Sequence, residues 1–481
     1  MNGRRTLSHA LSTTGSRTVL LASLTVLMAA CATAPSFDTP DASFKGRVNV
    51  VETPVVVPGT EVKLAGRDFK PGQEIRLTYG GAALSGKEPV VVGADGTFRT
   101  QFVVPADAPV GQHPVVVNAS KPAAALIHTL KVSPDIPLSG EERFTLTSKP
   151  LVPGLYQAAY SAKNDVLFVT SAVGRPPVTQ TQLVKVDPQT LAILANVTPP
   201  PAPAQPARDG QAPRDPGLYA VYGVAVDDVN GTVWVTNTRQ STVAVYRQSD
   251  LALLKQFDAG LVPHVRDVVV DEKQGKVYAS AFGAPNIAVF DARTQAFVKN
   301  IEIKTTLAGG PGAGDRKFSP MSLELDPENH KLYTVSMSTD EAAVIDTRTD
   351  EVDKVFAIEG SKGASGVAFD PRTNRLLVAS QGSDNLLIVD LASGKTLHDV
   401  KVGAGPLNVA KDSERGVAYV PNRGSGTVTV VNFDGEIVAN LPGGTLPNHV
   451  TKAGKGTIYA INKARGNEDP NGDRITRITP R

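Results

Sequence analysis

At 481 residues the chain is long enough for two or three domains. Its 49 Lys and Arg nearly cancel its 47 Asp and Glu, so no global field draws the whole surface to nucleic acid or to an anionic membrane. Its 43 Gly and 36 Pro, with short recurring runs of Val, Thr and Ile, predict an all-β protein with many turns, and a single cysteine excludes an internal disulfide.

Arg4, Arg5 and Arg17 precede an apolar run over 19–30 that ends at Cys31. A cationic n-region followed by an apolar h-region is the pattern of an export signal. The run is short for a bilayer of about 30 Å, which disfavours a spanning helix. Leu27-Met28-Ala29-Ala30-Cys31 resembles the bacterial lipobox. That resemblance implies cleavage of residues 1–30, diacylglycerol on the Cys31 thiol and a membrane contact through this N-terminal lipid anchor. Ala32 stands where an Asp would favour inner-membrane retention, so the implied location is the periplasmic face of the outer membrane. Residues 31–45, rich in Ala, Pro, Ser and Asp, read as a flexible tether.

Residues 46–133 contain strand-like runs at 48–51, 61–64, 74–78, 97–104, 112–118 and 126–132, with Pro58-Gly59, Pro71-Gly72 and Ala94-Asp95-Gly96 between them. Short strands at regular spacing predict a small β-sandwich. The stretch from Val57-Pro58-Gly59-Thr60 to Phe69-Lys70-Pro71-Gly72 resembles bacterial Ig-like modules, in which Pro-Gly pairs turn the chain and Phe69 would plug the core. Residues 134–142 read as a linker.

From 143 to 481 the chain repeats itself. Gly223-Val224-Ala225-Val226-Asp227, Gly231-Thr232-Val233-Trp234-Val235-Thr236-Asn237 and Ser241-Thr242-Val243-Ala244-Val245-Tyr246 form one copy. Asp267-Val268-Val269-Val270-Asp271 opens another, and seven copies can be set under one another. The period of roughly 40–45 residues is that of a four-stranded propeller blade. The first strand of each copy is rich in Gly, Ala and Val, as an innermost strand must be where blades crowd the axis. The last copy has three strands, and residues 144–151, ahead of the first copy, can supply the fourth and close the ring. The fold class expected is therefore all-β, a seven-bladed β-propeller preceded by a small Ig-like sandwich.

Val235-Thr236-Asn237 and Tyr419-Val420-Pro421-Asn422 resemble the Tyr-Val-Thr-Asn signature of the YVTN β-propeller family, and the resemblance spans residues 144–481. It is closest to YncE-like exported propellers, whose last blade ends in a strand like Asp473-Arg474-Ile475-Thr476-Arg477-Ile478. It implies a binding or scaffolding module without an established catalytic motif.

In a propeller, the loops leading into the innermost strands share one face with the loops between second and third strands. The first set offers Tyr156, Tyr222, His264, Arg266, Asn408, Asn448 and His449. The second offers Arg175, Asn237, Arg239, Asn422, Arg423, Asn462, Lys463 and Arg465. Guanidinium forks suit carboxylates and phosphates, and tyrosines stack on bases or sugars. Convergence of these residues predicts a face for an anionic ligand or polymer. His264 and His449 have no third histidine beside them and no cysteine, so no metal or other cofactor is assigned. The glycine-rich 308–317 lacks the Lys-Ser/Thr of a phosphate loop. Asp187, Asp291, Asp346 and Asp390 recur at one repeat position and read as turn formers, leaving no catalytic residue assigned. The function expected is a non-enzymatic cell-envelope lipoprotein whose partner is an envelope protein or an anionic polymer such as single-stranded nucleic acid. The alternative is a lactonase-like or quinoprotein-like propeller enzyme with a metal or cofactor in the axial channel.

Overall fold

The computed structural model describes residues 39–86, 88–204, 215–307 and 316–481. The apolar leader, Cys31, most of the Pro-rich 199–216 and most of the glycine-rich 308–317 lie outside them.

Two sheets enclose one core in the N-terminal region. Arg47–Val51, Glu61–Arg67 and Phe98–Val103 form the first. Glu74–Tyr79, Gly111–Ser120 and Ala124–Val132 form the second, with short strands at Ala82–Ala83 and Val90–Val91. Alternation sets the faces: Val62 and Leu64 from one sheet and Ile75, Leu77, Val115 and Val117 from the other point inward and are buried. Phe69 packs edge-on against Phe44 and Phe98, with ring centroids 5.3 and 5.1 Å away. Asp41 donates its N–H to Ala123 O (2.8 Å) and pairs with Lys70 (2.7 Å), so residues 40–44 lie against the sandwich.

Seven four-stranded antiparallel sheets follow among the described residues, at 155–197, 224–256, 265–302, 320–357, 364–401, 410–442 and 447–480. In the first six, spatial order equals chain order. In the seventh, Arg474–Pro480 pairs with Phe144–Pro150, in register from Arg474 opposite Pro150 to Pro480 opposite Phe144. The first strands pack side by side around an axis, and Leu155–Ser161 of the first sheet lies against Pro447–Lys452 of the seventh, so the ring is closed. The chain is thus all-β and a β-propeller, with helix confined to three-residue 3₁₀ turns among the described residues. Second strands such as Val166–Ala172 and Thr232–Asn237 are buried at every position, because sheets cover both their faces. Trp234, Tyr246, Tyr278 and Tyr419 fill the spaces between sheets.

The ring has two faces. Innermost strands begin at the mouth face and end at the far face. Aspartates close the turns of the far face: Asp227, Asp271, Asp326 and Asp370 end first strands and accept N–H bonds from Asn230, Gln274, Asn329 and Thr373. Asp187, Asp291, Asp346 and Asp390 end third strands and accept from Thr190, Thr294, Arg348 and Ser393. These are Asx-type turns, in which the carboxylate substitutes for a backbone acceptor.

The N-terminal sandwich reaches the mouth face. Lys131 pairs with Asp384 (2.7 Å) and donates to Gln381 O (2.9 Å), both on the loop between second and third strands of the fifth sheet. The linker lies along the sixth sheet, where Asn440 Nδ2 donates to Ile136 O (2.8 Å).

Candidate functional site

The repeat builds the mouth from two consecutive residues at the start of, or just before, each first strand. One position reads Tyr156, Tyr222, Arg266, Met321, Ser365, Leu407 and Asn448 in the seven sheets. The next reads Gln157, Gly223, Asp267, Ser322, Gly366, Asn408 and His449.

The second of these positions stitches neighbouring sheets together. Gln157 Oε1 accepts Val224 N–H (3.2 Å), Asp267 Oδ2 accepts Leu323 N–H (2.9 Å), Asn408 Oδ1 accepts Val450 N–H (3.0 Å), and His449 Nδ1 accepts Ala158 N–H (3.4 Å). Each acceptor serves the next sheet round the ring. Where the residue is Gly the backbones come too close for a side chain: a Cβ at Gly223 would lie 2.7 Å from Arg266 O, and one at Gly366 2.7 Å from Asn408 Cα. Hydroxyls on second strands complete the stitching. Thr170 donates to Tyr222 O, Thr236 to Arg266 O (3.3 Å) and Ser280 to Met321 O (2.6 Å). These bonds fix the backbone of the mouth residues, and so the directions of their side chains.

Three spaces follow one another along the axis. A cleft of about 290 Å³ at the mouth is lined by Tyr156, His264, Arg266, Phe282, Met321, Met337, Gln381, Leu407, Arg423 and Lys463. A neck of about 20 Å³ lies beneath it, among Gln157, Asp267, Ser322, Asn408 and His449. The axial channel beyond, about 450 Å³, is lined by first strands of all seven sheets and contains the Glu324–Lys411 ion pair.

The cleft is cationic without being salt-bridged. Arg266 Nη1 donates to Tyr156 OH (2.6 Å), and its guanidinium lies 5.5 Å from that ring's centroid. Lys463 donates to Ala172 O (2.8 Å), its ammonium 5.8 Å from the same centroid. Arg239 Nε donates to Tyr222 OH (3.2 Å), and Arg423 to Asn448 Oδ1. Tyr156 and Tyr222 meet edge to face at 4.7 Å. All four cations thus bond neutral acceptors, and none is in an ion pair among the described residues.

Loss of water combined with like charge leaves a titration signature. Burial, then the neighbouring Arg266 and Arg465 charges, lowers the Arg423 pKa against an opposing contribution from Tyr156. Burial, then Arg423 and Arg239, lowers that of Lys463, with Asp473 opposing. His264 stays solvent-accessible at the rim, yet partial loss of water, then Arg266 and Arg239, also lowers its pKa. Tyr222 is raised by burial. In the neck, burial pushes the Asp267 carboxyl up to about 6 and the His449 imidazole down to about 4. A site that disfavours its own positive charges gains most from a bound negative charge.

The residues read from the sequence divide into four groups. Tyr156, His264, Arg266, Arg423 and Lys463 line the cleft, with Tyr222 and Arg239 bonded at its margin. Asn237, Asn422, Asn448 and Asn462 are buried, and their amides hold protein atoms: Asn237 donates to Ala220 O, Asn422 to Thr427 and Thr429, Asn448 to Leu155 O, Asn462 to Asn471 O. Asn408 and His449 belong to the neck stitching and lie below the mouth. Arg175 and Arg465 are exposed on loops and do not line the cleft. The soft apolar wall of Phe282, Met321, Met337 and Leu407 was not read from the sequence; the column aligned with Arg266 and the residue just after each second strand carry it. Among the described residues no three His, Cys, Asp or Glu side chains converge as a metal site.

No family model matches the chain, and no curated protein matches it in sequence. Its folded shape is shared with solved structures. Hydrazine synthase of Kuenenia stuttgartiensis is 17% identical with a TM-score of 0.53, over 68% of this chain and 96% of that one. Virginiamycin B lyase from Staphylococcus aureus is 13% identical with a TM-score of 0.51, over 70% and 99%. Raptor of Chaetomium thermophilum is 12% identical with a TM-score of 0.53, over 70% of this chain and 29% of that one. By name these neighbours include enzymes, and at such identity the likeness carries the fold alone: the chain has the β-propeller architecture.

Proposed function

We propose that this protein is an exported, lipid-anchored binding module, with an Ig-like domain over 46–133 and a seven-bladed YVTN-type propeller over 143–481, whose mouth captures an anionic group on its partner. One observation carries the reading: Arg239, Arg266, Arg423 and Lys463 surround Tyr156 and Tyr222 on neutral acceptors alone. Forked guanidiniums in a half-dehydrated cleft bind carboxylate or phosphate through charge-assisted hydrogen bonds. Binding is favoured over catalysis because the polar atoms of the neck are already engaged. Asp267 accepts from Leu323 and Val268 N–H, and His449 Nδ1 from Ala158 N–H. The lipobox-like Leu27-Met28-Ala29-Ala30-Cys31 sequence supports placement in the envelope, and Lys131 on Asp384 brings the sandwich to the mouth, where it would border a partner.

The test is binding of the full chain to a labelled single-stranded oligonucleotide and to an acidic polysaccharide at about 50 and 200 mM salt. The expected result is affinity that falls with salt and falls at least about tenfold in Arg266→Ala/Arg423→Ala, since each charge-assisted bond is worth about 1.5–3 kcal/mol. Salt-insensitive binding, or equal binding by the variant, overturns the reading.

A further inference from the structure

The mouth cleft has two unlike sides. Its cations come from the sixth, seventh, second and third sheets as Arg423, Lys463, Arg239 and Arg266, gathered about Tyr156 of the first. Facing them, the third, fourth and sixth sheets contribute Phe282, Met321, Met337 and Leu407. The repeat explains the split, because positions equivalent to Arg266 and Arg423 are held in the fourth sheet by Met321 and Met337. Gln381 Nε2 lies 3.5 Å from Met337 Sδ, so a polar group on that side turns toward the thioether. Phe282 packs against His264 at 5.4 Å. Met321 is buried while Phe282 and Met337 keep partial exposure, which leaves them for an occupant to cover.

The space is constricted below. It narrows from about 290 Å³ to about 20 Å³ at the neck, where the stitching side chains meet. A volume near the lower end of small-molecule sites admits one compact group, and a polymer would have to lie across the rim.

Resting on the anion-binding reading, we propose that the cleft takes a small amphipathic anion: a carboxylate or phosphate head on the Arg266/Arg423/Lys463 side, with an apolar body of a few carbons against Phe282, Met321 and Met337. Methionine suits such a wall because its thioether adapts to different shapes, so the head is specified more sharply than the body.

The test is equilibrium dialysis of the full chain in nonionic detergent, with a protein-free micelle blank, against acetate, butanoate, hexanoate, octanoate, octyl phosphate and octyltrimethylammonium. Affinity is expected to rise roughly three- to fourfold per added methylene until the wall is covered. Octyl phosphate should bind with octanoate and the ammonium should not. Phe282→Ala/Met337→Ala should flatten the chain-length dependence while acetate binding persists, and Phe282→Leu should restore much of it. Arg266→Ala/Arg423→Ala should weaken every anion alike. Thermal melts of each variant identify any that fail to fold, and the wild-type series decides the matter without them. Equal wild-type affinity for acetate and octanoate, with salt-sensitive oligonucleotide binding retained, overturns this inference alone. Absence of binding by every anion overturns it together with the reading on which it rests.

Discussion

The two faces of the ring handle charge in opposite ways. On the far face Lys276 pairs with Asp350 (2.9 Å), Lys331 with Asp346 (2.9 Å) and Asp353 (2.6 Å), and Lys452 with Asp412 (2.9 Å). At the mouth, four cations bond only hydroxyl, amide and carbonyl oxygens. The cause is turn chemistry. First and third strands end on the far face, and in all but the seventh sheet an Asp at one or both of those ends closes a turn, so carboxylates collect there and attract lysines. Loops of the mouth face carry aspartates too, but Asp340 and Asp473 are taken up by backbone N–H groups and Asp384 by Lys131, so the cleft arginines are left without a paired carboxylate. A chain of net charge +2 thereby acquires one neutralised face and one electropositive cleft.

The largest expected effect tests whether the faces are independent. Asp412 is fully buried and holds Glu414 N–H (3.2 Å), Lys452 (2.9 Å) and Arg415 (3.0 Å). Asp412→Ala orphans all three. Because both cations keep some solvent, the loss should be about 2–3 kcal/mol in urea unfolding, below that of a fully buried pair. Affinity of the folded variant for anions should not change. A parallel loss of affinity would show the faces to be coupled.

Between the faces the neck is predicted to carry almost no charge at mildly acidic pH. Asp267 has its pKa raised from 3.8 to about 6, so its contribution to stability is present below 3.8 and lost as pH rises through about 6. His449 has its pKa lowered from 6.5 to about 4, so its contribution is present above 6.5 and lost as pH falls through about 4. The windows overlap and the signs oppose, each amounting to at most about 3 kcal/mol. Thermal stability of the wild type should be nearly level from pH 4 to 6.5. Asp267→Asn should make it rise with pH and His449→Gln should make it fall. Identical slopes in all three proteins would refute the pairing.

The sequence reveals the strand pattern far better than the site. Val-x-Val strands ending in Asp mark the far face, and the lone strand at Phe144–Pro150 announces where the seventh sheet finds its fourth member. The asparagines mislead for a physical reason. Asn237 and Asn422 end second strands at the mouth, but the buried oxygens beside them need donors, so the amides turn inward. The neck ring is hidden because Gln157, Asp267, Asn408 and His449 share one task while differing in type. What unites them is an acceptor at a fixed reach from the next sheet's N–H, and two glycines show where even that reach is absent.

The smallest expected effect sharpens the electrostatic side of the comparison. Arg266 contributes to the lowered pKa values of both His264 and Arg423, after burial in each case. Its own bond, to the Tyr156 hydroxyl, is to a neutral partner, so Arg266→Ala removes as much repulsion as attraction and should change stability by less than about 1 kcal/mol. The His264 imidazole should then titrate closer to its ordinary range, because one of the charges opposing its protonation is gone. Imidazole proton shifts followed by NMR across pH 5–8 would report this directly. Lys331→Ala on the far face serves as the control: it leaves Asp346 and Asp353 with less counter-charge but should not move His264. An unmoved His264 in Arg266→Ala would mean that the cleft is screened by solvent, and the cations there would no longer act as one field.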